Sequence, residues 1–177
     1  QAILRILHNH QINLMIMKYA KDGLETEEMR NLSRLENISL DKVMRRIAEG
    51  RIVIARNLAR KNLDDSRLVG IGYGLRTKVN ANIGTSMFVN DLEMEKRKLG
   101  VAIQHGTDTV MDLSTGGDID EIRRTLISLC NVPFGTVPIY QAYIEAVRKE
   151  GAPIYMDEDK IFSICLLYTS DAADDGE

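Results

Sequence analysis

Tryptophan is absent from this 177-residue sequence, aromatic residues make up 5% of it, and it contains only two cysteines and three prolines. Two cysteines are too few for a disulfide framework and make no metal site, so a reducing, cytoplasmic compartment is expected. No apolar run approaches the roughly 20 residues of a membrane-spanning helix. A net charge of -3 gives no reason to expect nucleic acid or an anionic membrane as a partner. The composition is that of an ordinary globular domain, with neither of these partners expected.

The two ends of the sequence differ in character from its middle. Residues 1–16 are apolar in places, but polar residues interrupt them too often for a signal-peptide core, and we interpret them as a leader upstream of the true start. Residues 165–177, CLLYTSDAADDGE, resemble the translation of a sequencing adapter, with a natural acidic tail as the alternative interpretation. We therefore expect the fold in an N-terminal region, 17–69, and an α/β region, 70–164.

The N-terminal region is predicted to be mainly helical. Residues 26–35 carry Met29, Leu32 and Leu35 at helical spacing, and a second helix follows Ser39. The apolar run 52–54 predicts a short strand. Glycines then stand at three alternate positions, 70, 72 and 74, which is not the spacing of a dinucleotide-binding loop. This segment is predicted to be a flexible approach to the next strand.

From residue 78 onward, strands and helices alternate three times. The predicted strands and helices, in chain order, are 78–83, 91–104, 109–113, 118–130, 134–139 and 141–150. Such alternation is typical of parallel strands joined by crossover helices. A doubly wound sheet and a closed eight-stranded barrel share it, and a barrel needs roughly 250 residues. The fold class is therefore α/β, and as a barrel it would be incomplete.

Polar or glycine-bearing segments follow all three predicted strands, at 80–86, 111–117 and 136–141. Ligands bind at the carboxyl ends of the strands in both architectures. Asn, Ser, Thr and Gly are also common turn residues, so a single such segment would mean little. Three of them at corresponding positions predict a shared polar pocket.

No catalytic or metal-binding arrangement stands out among the remaining polar residues. Asp112 and Asp118 are explained by a strand end and a helix cap. His8 and His10 fall in the doubtful leader, and His105 falls at a helix end, so no pair has the context of a zinc site.

The three strand segments closely resemble signature strings of the phosphomethylpyrimidine synthase family. The strings are KVNANIGTS at 78–86, DTVMDLSTG at 108–116 and GTVPIYQA at 135–142, and the likeness extends upstream through GLETEEM at 23–29 and IAEGRIVI at 47–54. The order and separation of the strings match the family too. The resemblance covers about residues 17–164.

The resemblance implies a small N-terminal domain followed by a (βα)8 barrel, here represented by its first three units. It implies a radical enzyme of thiamine biosynthesis that uses S-adenosylmethionine, a four-iron four-sulfur cluster and zinc, acts as a homodimer, and converts 5-aminoimidazole ribotide into 4-amino-5-hydroxymethyl-2-methylpyrimidine phosphate. The ribotide-contacting Asn, Met and Tyr of the family fall on Asn82, Met111 and Tyr140. The zinc histidines and the cluster cysteines of the family have no counterpart in this sequence, so this polypeptide is expected to be inactive.

Two alternatives to this function stay open at the level of sequence. A paralogous enzyme converts the same ribotide into hydroxybenzimidazole for cobamides, and its N-terminal strings are similar. A non-catalytic ligand-binding α/β domain would also present a polar pocket at its strand ends.

Overall fold

Two separate hydrophobic clusters organise the chain in the computed structural model, which describes residues 15–55 and 65–165. Most of the predicted leader, the predicted tail after 165, and residues 56–64 therefore lie outside the described residues. The elements, in chain order, are α1 (Glu27–Glu36), α2 (Leu40–Ala48), β1 (Ile52–Ala55), β2 (Val69–Gly72), β3 (Asn80–Ile83), α3 (Leu92–Gln104), β4 (Thr109–Asp112), α4 (Ile119–Leu129), β5 (Phe134–Thr136) and α5 (Pro138–Glu150). Residues 15–21 and 158–165 are also helical. No helix within 15–55 or 65–165 combines the length and apolarity that crossing a membrane requires.

The first cluster joins the helices and the first strand of the N-terminal region. The hydroxyl of Thr26 accepts a hydrogen bond from the backbone N–H of Met29 at 3.4 Å and thereby caps α1. Met29 and Leu32 are fully buried, whereas Leu35 is 45% exposed and the prediction that it shares their face is wrong. Steps of three residues fall about 60° short of a full helical turn each time, so the third member rotates away from the core.

Two of the three alternate glycines, Gly70 and Gly72, lie in a strand, so the prediction of a flexible approach is wrong for them, while Gly74 lies in the turn that follows. β2 pairs antiparallel with β1. A Cβ at Gly70 would lie 2.5 Å from the Leu32 side chain, and one at Gly72, where φ is +145°, would lie 2.0 Å from the carbonyl oxygen of Arg51. Glycine at these two positions lets β2 lie directly against α1 and β1.

The second cluster lies beneath a three-stranded parallel sheet in the order β3-β4-β5. This confirms the α/β fold class with its three strand-and-helix units, and no closed barrel forms among the described residues. One face of the sheet presents Ile83 and Val110, which pack with Leu99 of α3 and Leu126 of α4. Both crossover helices therefore cover the same face. The predicted cap at the start of α4 is confirmed, since the Asp118 carboxylate accepts from the N–H of Glu121 at 3.1 Å.

The third strand is shorter than predicted, and the helix after it begins earlier. β5 ends at Thr136, and α5 begins at Pro138. Proline suits the first helical turn, because its missing N–H has no acceptor there in any case. As a result, Tyr140 lies in the first turn of α5.

A polar joint connects the N-terminal region to the sheet at the amino end of the strands. The Asp108 carboxylate binds the Arg76 guanidinium through two hydrogen bonds and accepts a third from the N–H of Val79 at 2.8 Å. Glu36 of α1 pairs with Lys78 at 2.7 Å and accepts from the N–H of Arg76 at 2.9 Å. A cavity of about 230 Å³ beside this joint lies at the opposite end of the strands from the predicted pocket.

The joint lowers the pKa of Asp108 below its usual value of 3.8. Burial alone would raise the pKa of this carboxyl, but the hydrogen bonds from Arg76 and Val79 and the positive charges of Arg76 and Lys78 outweigh that effect. The same contact with Asp108 raises the pKa of Arg76. The ionised form of Asp108 is thus the form that the fold stabilises.

We expect Asp108→Asn to remove part of the acid sensitivity of the fold. A carboxyl whose pKa is lowered by folding contributes stability above its unfolded pKa, and that contribution is lost as the pH falls through the folded pKa. The free energy of unfolding should therefore fall between pH 5 and pH 2 less steeply in Asp108→Asn than in the parent, by urea titration. Asp22→Asn, which changes an exposed carboxylate in a turn, is the control and should follow the parent. Equal slopes for parent and Asp108→Asn would contradict the expectation.

Candidate functional site

Asn82 and Met111 are neighbours on the open face of the sheet, the face opposite the crossover helices. They are partners in the parallel register of β3 and β4, so their side chains point to the same side. Asn80 and Thr109, the partners two residues earlier, share this face. The Thr109 hydroxyl donates to the Asn80 side chain at 2.7 Å, and the Asn80 amide donates to the Asn82 side-chain oxygen at 2.9 Å. This leaves the amide N–H groups of Asn82 directed away from Asn80, in a side chain that is exposed.

Met111 is half-buried and lies toward the third strand. Its register partner on β5 is Gly135. A Cβ built on Gly135 would lie 3.5 Å from the Met111 Cε, which is ordinary van der Waals contact. The thioether therefore covers the glycine and forms a soft apolar surface beside Asn82. Met111 does not belong to the core beneath the sheet.

Tyr140 lies at the carboxyl end of β5, in the first turn of α5, and it is 46% exposed. Asn82 and Met111 are brought together by strand register, whereas Tyr140 reaches the same end of the sheet from a helix. The three side chains offer an amide, a thioether and a phenol at one end of the sheet. Such a set suits a ligand that combines a flat ring with hydrogen-bonding groups.

The exits of β3 and β4 are packed against each other through backbone and small side chains. The N–H of Gly84 donates to the buried carboxylate of Glu95 at 2.7 Å. The N–H of Thr85 donates to the Ser114 hydroxyl at 3.1 Å, and the Thr85 hydroxyl donates to the carbonyl oxygen of Gly116 at 2.7 Å. A Cβ on Gly116 would lie 2.0 Å from the carbonyl oxygen of Ser86. The two loops thus approach each other as closely as backbone allows.

A buried polar chain runs beneath these exits and into α5. The Asp112 carboxylate accepts from the Ser114 N–H at 3.0 Å and from the Arg123 Nε at 2.5 Å, and Asp112 and Arg123 have no exposed side-chain surface. Arg123 Nη1 donates to the Gln141 side-chain oxygen at 2.7 Å. The Gln141 amide in turn donates to Asp120 at 2.8 Å. Strand end, crossover helix and the next helix are joined through one guanidinium.

The sequence analysis missed Arg123 and Gln141. A signal for Arg123 was present, because it stands between Ile119 and Leu126 on the apolar stripe of α4, where a charge needs a buried partner. Asp112, interpreted as an ordinary strand end, is that partner. Gln141 carried no such signal, since its burial depends on how α5 docks.

The acidic, histidine and cysteine residues form no cluster of three or more that could hold a metal ion in the part of the chain that the structure describes. Cys130 is buried, and its thiol donates to the carbonyl oxygen of Val132 at 3.3 Å.

Comparisons with known proteins all indicate the same family. The model of the Radical SAM ThiC family matches residues 15–174. Phosphomethylpyrimidine synthase 1 of Methanothermobacter thermautotrophicus is 48% identical over 158 residues, which are 89% of this chain and 36% of that protein. The phosphomethylpyrimidine synthases of Sulfolobus acidocaldarius and Desulforudis audaxviator are 48% and 49% identical, over 85% and 89% of this chain. The chain spans about a third of the length of these curated relatives.

We expect Gly116→Ala to destabilise the fold by about 1–3 kcal/mol, because the new methyl group would overlap the Ser86 carbonyl and force the two loops apart. Gly100→Ala is the matched control. It adds the same methyl group to an exposed position of α3 with nothing within 4 Å, and it should stabilise by about 0.5–1 kcal/mol. Urea unfolding of both variants measures the difference. A Gly116→Ala protein as stable as its parent would show that the loops are not in close contact.

Proposed function

The chain belongs to the Radical SAM ThiC family, and we propose that the open face of its sheet forms part of the site where 5-aminoimidazole ribotide is bound for conversion into 4-amino-5-hydroxymethyl-2-methylpyrimidine phosphate. Relatives that are 48–49% identical carry the name phosphomethylpyrimidine synthase, which supports this reaction. Because the chain spans about a third of their length, the activity of the whole protein is part of the proposal.

The observation that carries the proposal is the register pair of Asn82 and Met111 on the open face. Both residues stand within the strings that resemble the family, and the structure leaves both side chains outside the hydrophobic cores. Asn82 has the donors and the acceptor that a polar imidazole needs, and Met111 supplies an apolar surface for its ring. Tyr140 adds a hydroxyl from the next strand exit.

We also propose that β3, β4 and β5 are the first strands of a (βα)8 barrel. Two observations support a barrel over a doubly wound sheet. The strands lie side by side in chain order, and α3 and α4 both pack on one face. A doubly wound sheet reverses its strand order and covers both faces with helices. In a barrel, the open face would turn inward and the strand exits would meet at its catalytic end.

The cofactors that the family implies do not fit the residues of this chain. An iron–sulfur cluster is held by cysteine thiolates, three of them in the motif that the resemblance implies, and the sequence has two cysteines. One of these, Cys130, is buried against Val132. Zinc ligands are likewise not grouped anywhere within 15–55 and 65–165. The proposed role of these residues is therefore to bind and orient the ribotide, and no radical step is assigned to them.

Substitution at Tyr140 tests the proposed site in the full-length enzyme encoded at the locus of this chain. Tyr140→Phe removes one hydroxyl, and the loss of one hydrogen bond should raise the KM for 5-aminoimidazole ribotide by about 3- to 10-fold. Tyr143→Phe is the matched control, because Tyr143 lies in the same helix and is 49% exposed, against 46% for Tyr140. It should leave the KM unchanged.

Asn82→Ala is the second substitution, and its expected effect on KM is at least as large, because an amide can make more than one hydrogen bond to the ligand. Asn31→Ala, on α1, is its control. Unchanged KM in both Asn82→Ala and Tyr140→Phe would overturn the proposed site.

Sequencing the locus across the codon for Cys165 tests the wider proposal. A frame that continues into further strand-and-helix units and a C-x2-C-x4-C motif supports it, and a natural stop codon after residue 177 contradicts it.

A further inference from the structure

The geometry points to Arg123 and Gln141 as positioning residues for the ribotide site, acting through one buried chain of hydrogen bonds. The chain runs from Gln141 through Arg123, Asp112 and Ser114 to Thr85. This inference rests on the proposed function and deepens it. According to this inference, Arg123 and Gln141 keep the three strand exits aligned although neither residue contacts the ligand.

Each residue proposed to contact the ribotide is close in sequence to a member of this chain. Tyr140 precedes Gln141, and Met111 precedes Asp112. Asn82 lies at the end of β3, shortly before Thr85. A shift of any link would therefore displace the backbone that carries a contact residue. For reactions that depend on orientation, a displacement of about 1 Å can cost up to a hundredfold in rate.

The energetics of the ion pair favour a positioning role over a stabilising one. Asp112 and Arg123 have no exposed side-chain surface. Removing two charges from water has a large free-energy cost, and well-packed apolar residues of the same volume often give an equally stable protein. What apolar residues do not provide is directional bonding. The guanidinium has donors that diverge in a plane, so one group holds Asp112 of β4 and Gln141 of α5 at a defined separation.

Gln141 is the link that connects α5, and with it Tyr140, to the rest of the chain. Its side-chain oxygen accepts from Arg123 at 2.7 Å, and its amide donates to Asp120 at 2.8 Å and to Glu145 at 2.9 Å. Every polar atom of this side chain is thus engaged with protein. Gln141→Met removes the acceptor of Arg123 Nη1 but leaves the Asp112–Arg123 pair intact, so among substitutions in this chain of hydrogen bonds it should perturb the fold least.

The test is a double-mutant cycle between Gln141→Met and Tyr140→Phe in the full-length enzyme, assayed with 5-aminoimidazole ribotide below the melting temperature of every variant. Gln141→Met should raise KM by about 3- to 10-fold, as Tyr140→Phe does, because it displaces the tyrosine hydroxyl from its contact with the ligand. In the double variant, the effects should not multiply, since Tyr140 then no longer makes the contact that Phe would remove. Arg123→Lys keeps the positive charge but loses the diverging donors of the guanidinium. It should therefore raise KM in the same way. Arg124→Lys, at the next and exposed position of α4, should match the parent.

The outcomes separate this inference from the proposal on which it rests. A raised KM in Tyr140→Phe with an unchanged KM in Gln141→Met overturns the positioning role alone. Multiplying effects in the double variant, or a fall in melting temperature without a change in KM, overturns it too, because a purely structural residue behaves in that way. An unchanged KM in Tyr140→Phe overturns the assignment of Tyr140 and, with it, the positioning inference.

Discussion

A carboxylate and a guanidinium that no water reaches lie where β4 leaves the sheet, and the surrounding structure is arranged around them. A buried charge is tolerated only when its hydrogen-bonding groups find partners, so the pair dictates what its neighbours are and where they lie. Asp112 orients Ser114, and through it the backbone of Thr85. Arg123 donates a hydrogen bond to Gln141 at the start of α5. The loops at the carboxyl end of the sheet have defined conformations because the buried pair needs hydrogen-bond partners at fixed positions.

The two faces of the sheet serve different purposes. On the covered face, alternate residues such as Ile83 and Val110 meet the crossover helices and supply the hydrophobic core. On the open face, the intervening positions carry Asn82 and Met111, and the Met111 thioether lies over Gly135 of β5. The period of two along a strand therefore separates the residues of the hydrophobic core from those of the proposed ligand site. A substitution at the proposed site can be made without emptying the core.

The sequence predicted those features that depend on local chemistry. Asp118 was assigned as a cap because a carboxylate before an apolar helical stripe has one common role, and the alternation of strands and helices gave the α/β class. Long-range packing limited the rest. Gly70 and Gly72 form a strand because other segments approach them closely, a fact that no window around them contains. Leu35 had a helical spacing from Met29 and Leu32, but the helix turns it away from the core. Asn82, Met111 and Tyr140 came from a resemblance to a family, while the buried partnership of Arg123 and Gln141 emerged only in three dimensions.

The N-terminal cluster and the cluster beneath the sheet share no residue, and charged and polar groups such as Arg76 and Asp108 link the two parts. Apolar contacts within each cluster favour cooperative opening of that part, whereas the contacts of the joint between them are polar. The consequence concerns how the chain opens under native conditions. Each cluster can act as its own unit of local unfolding, so backbone amides in the two parts need not exchange their hydrogens at a common free energy. A cell protease would then meet one part unfolded while the other is still closed.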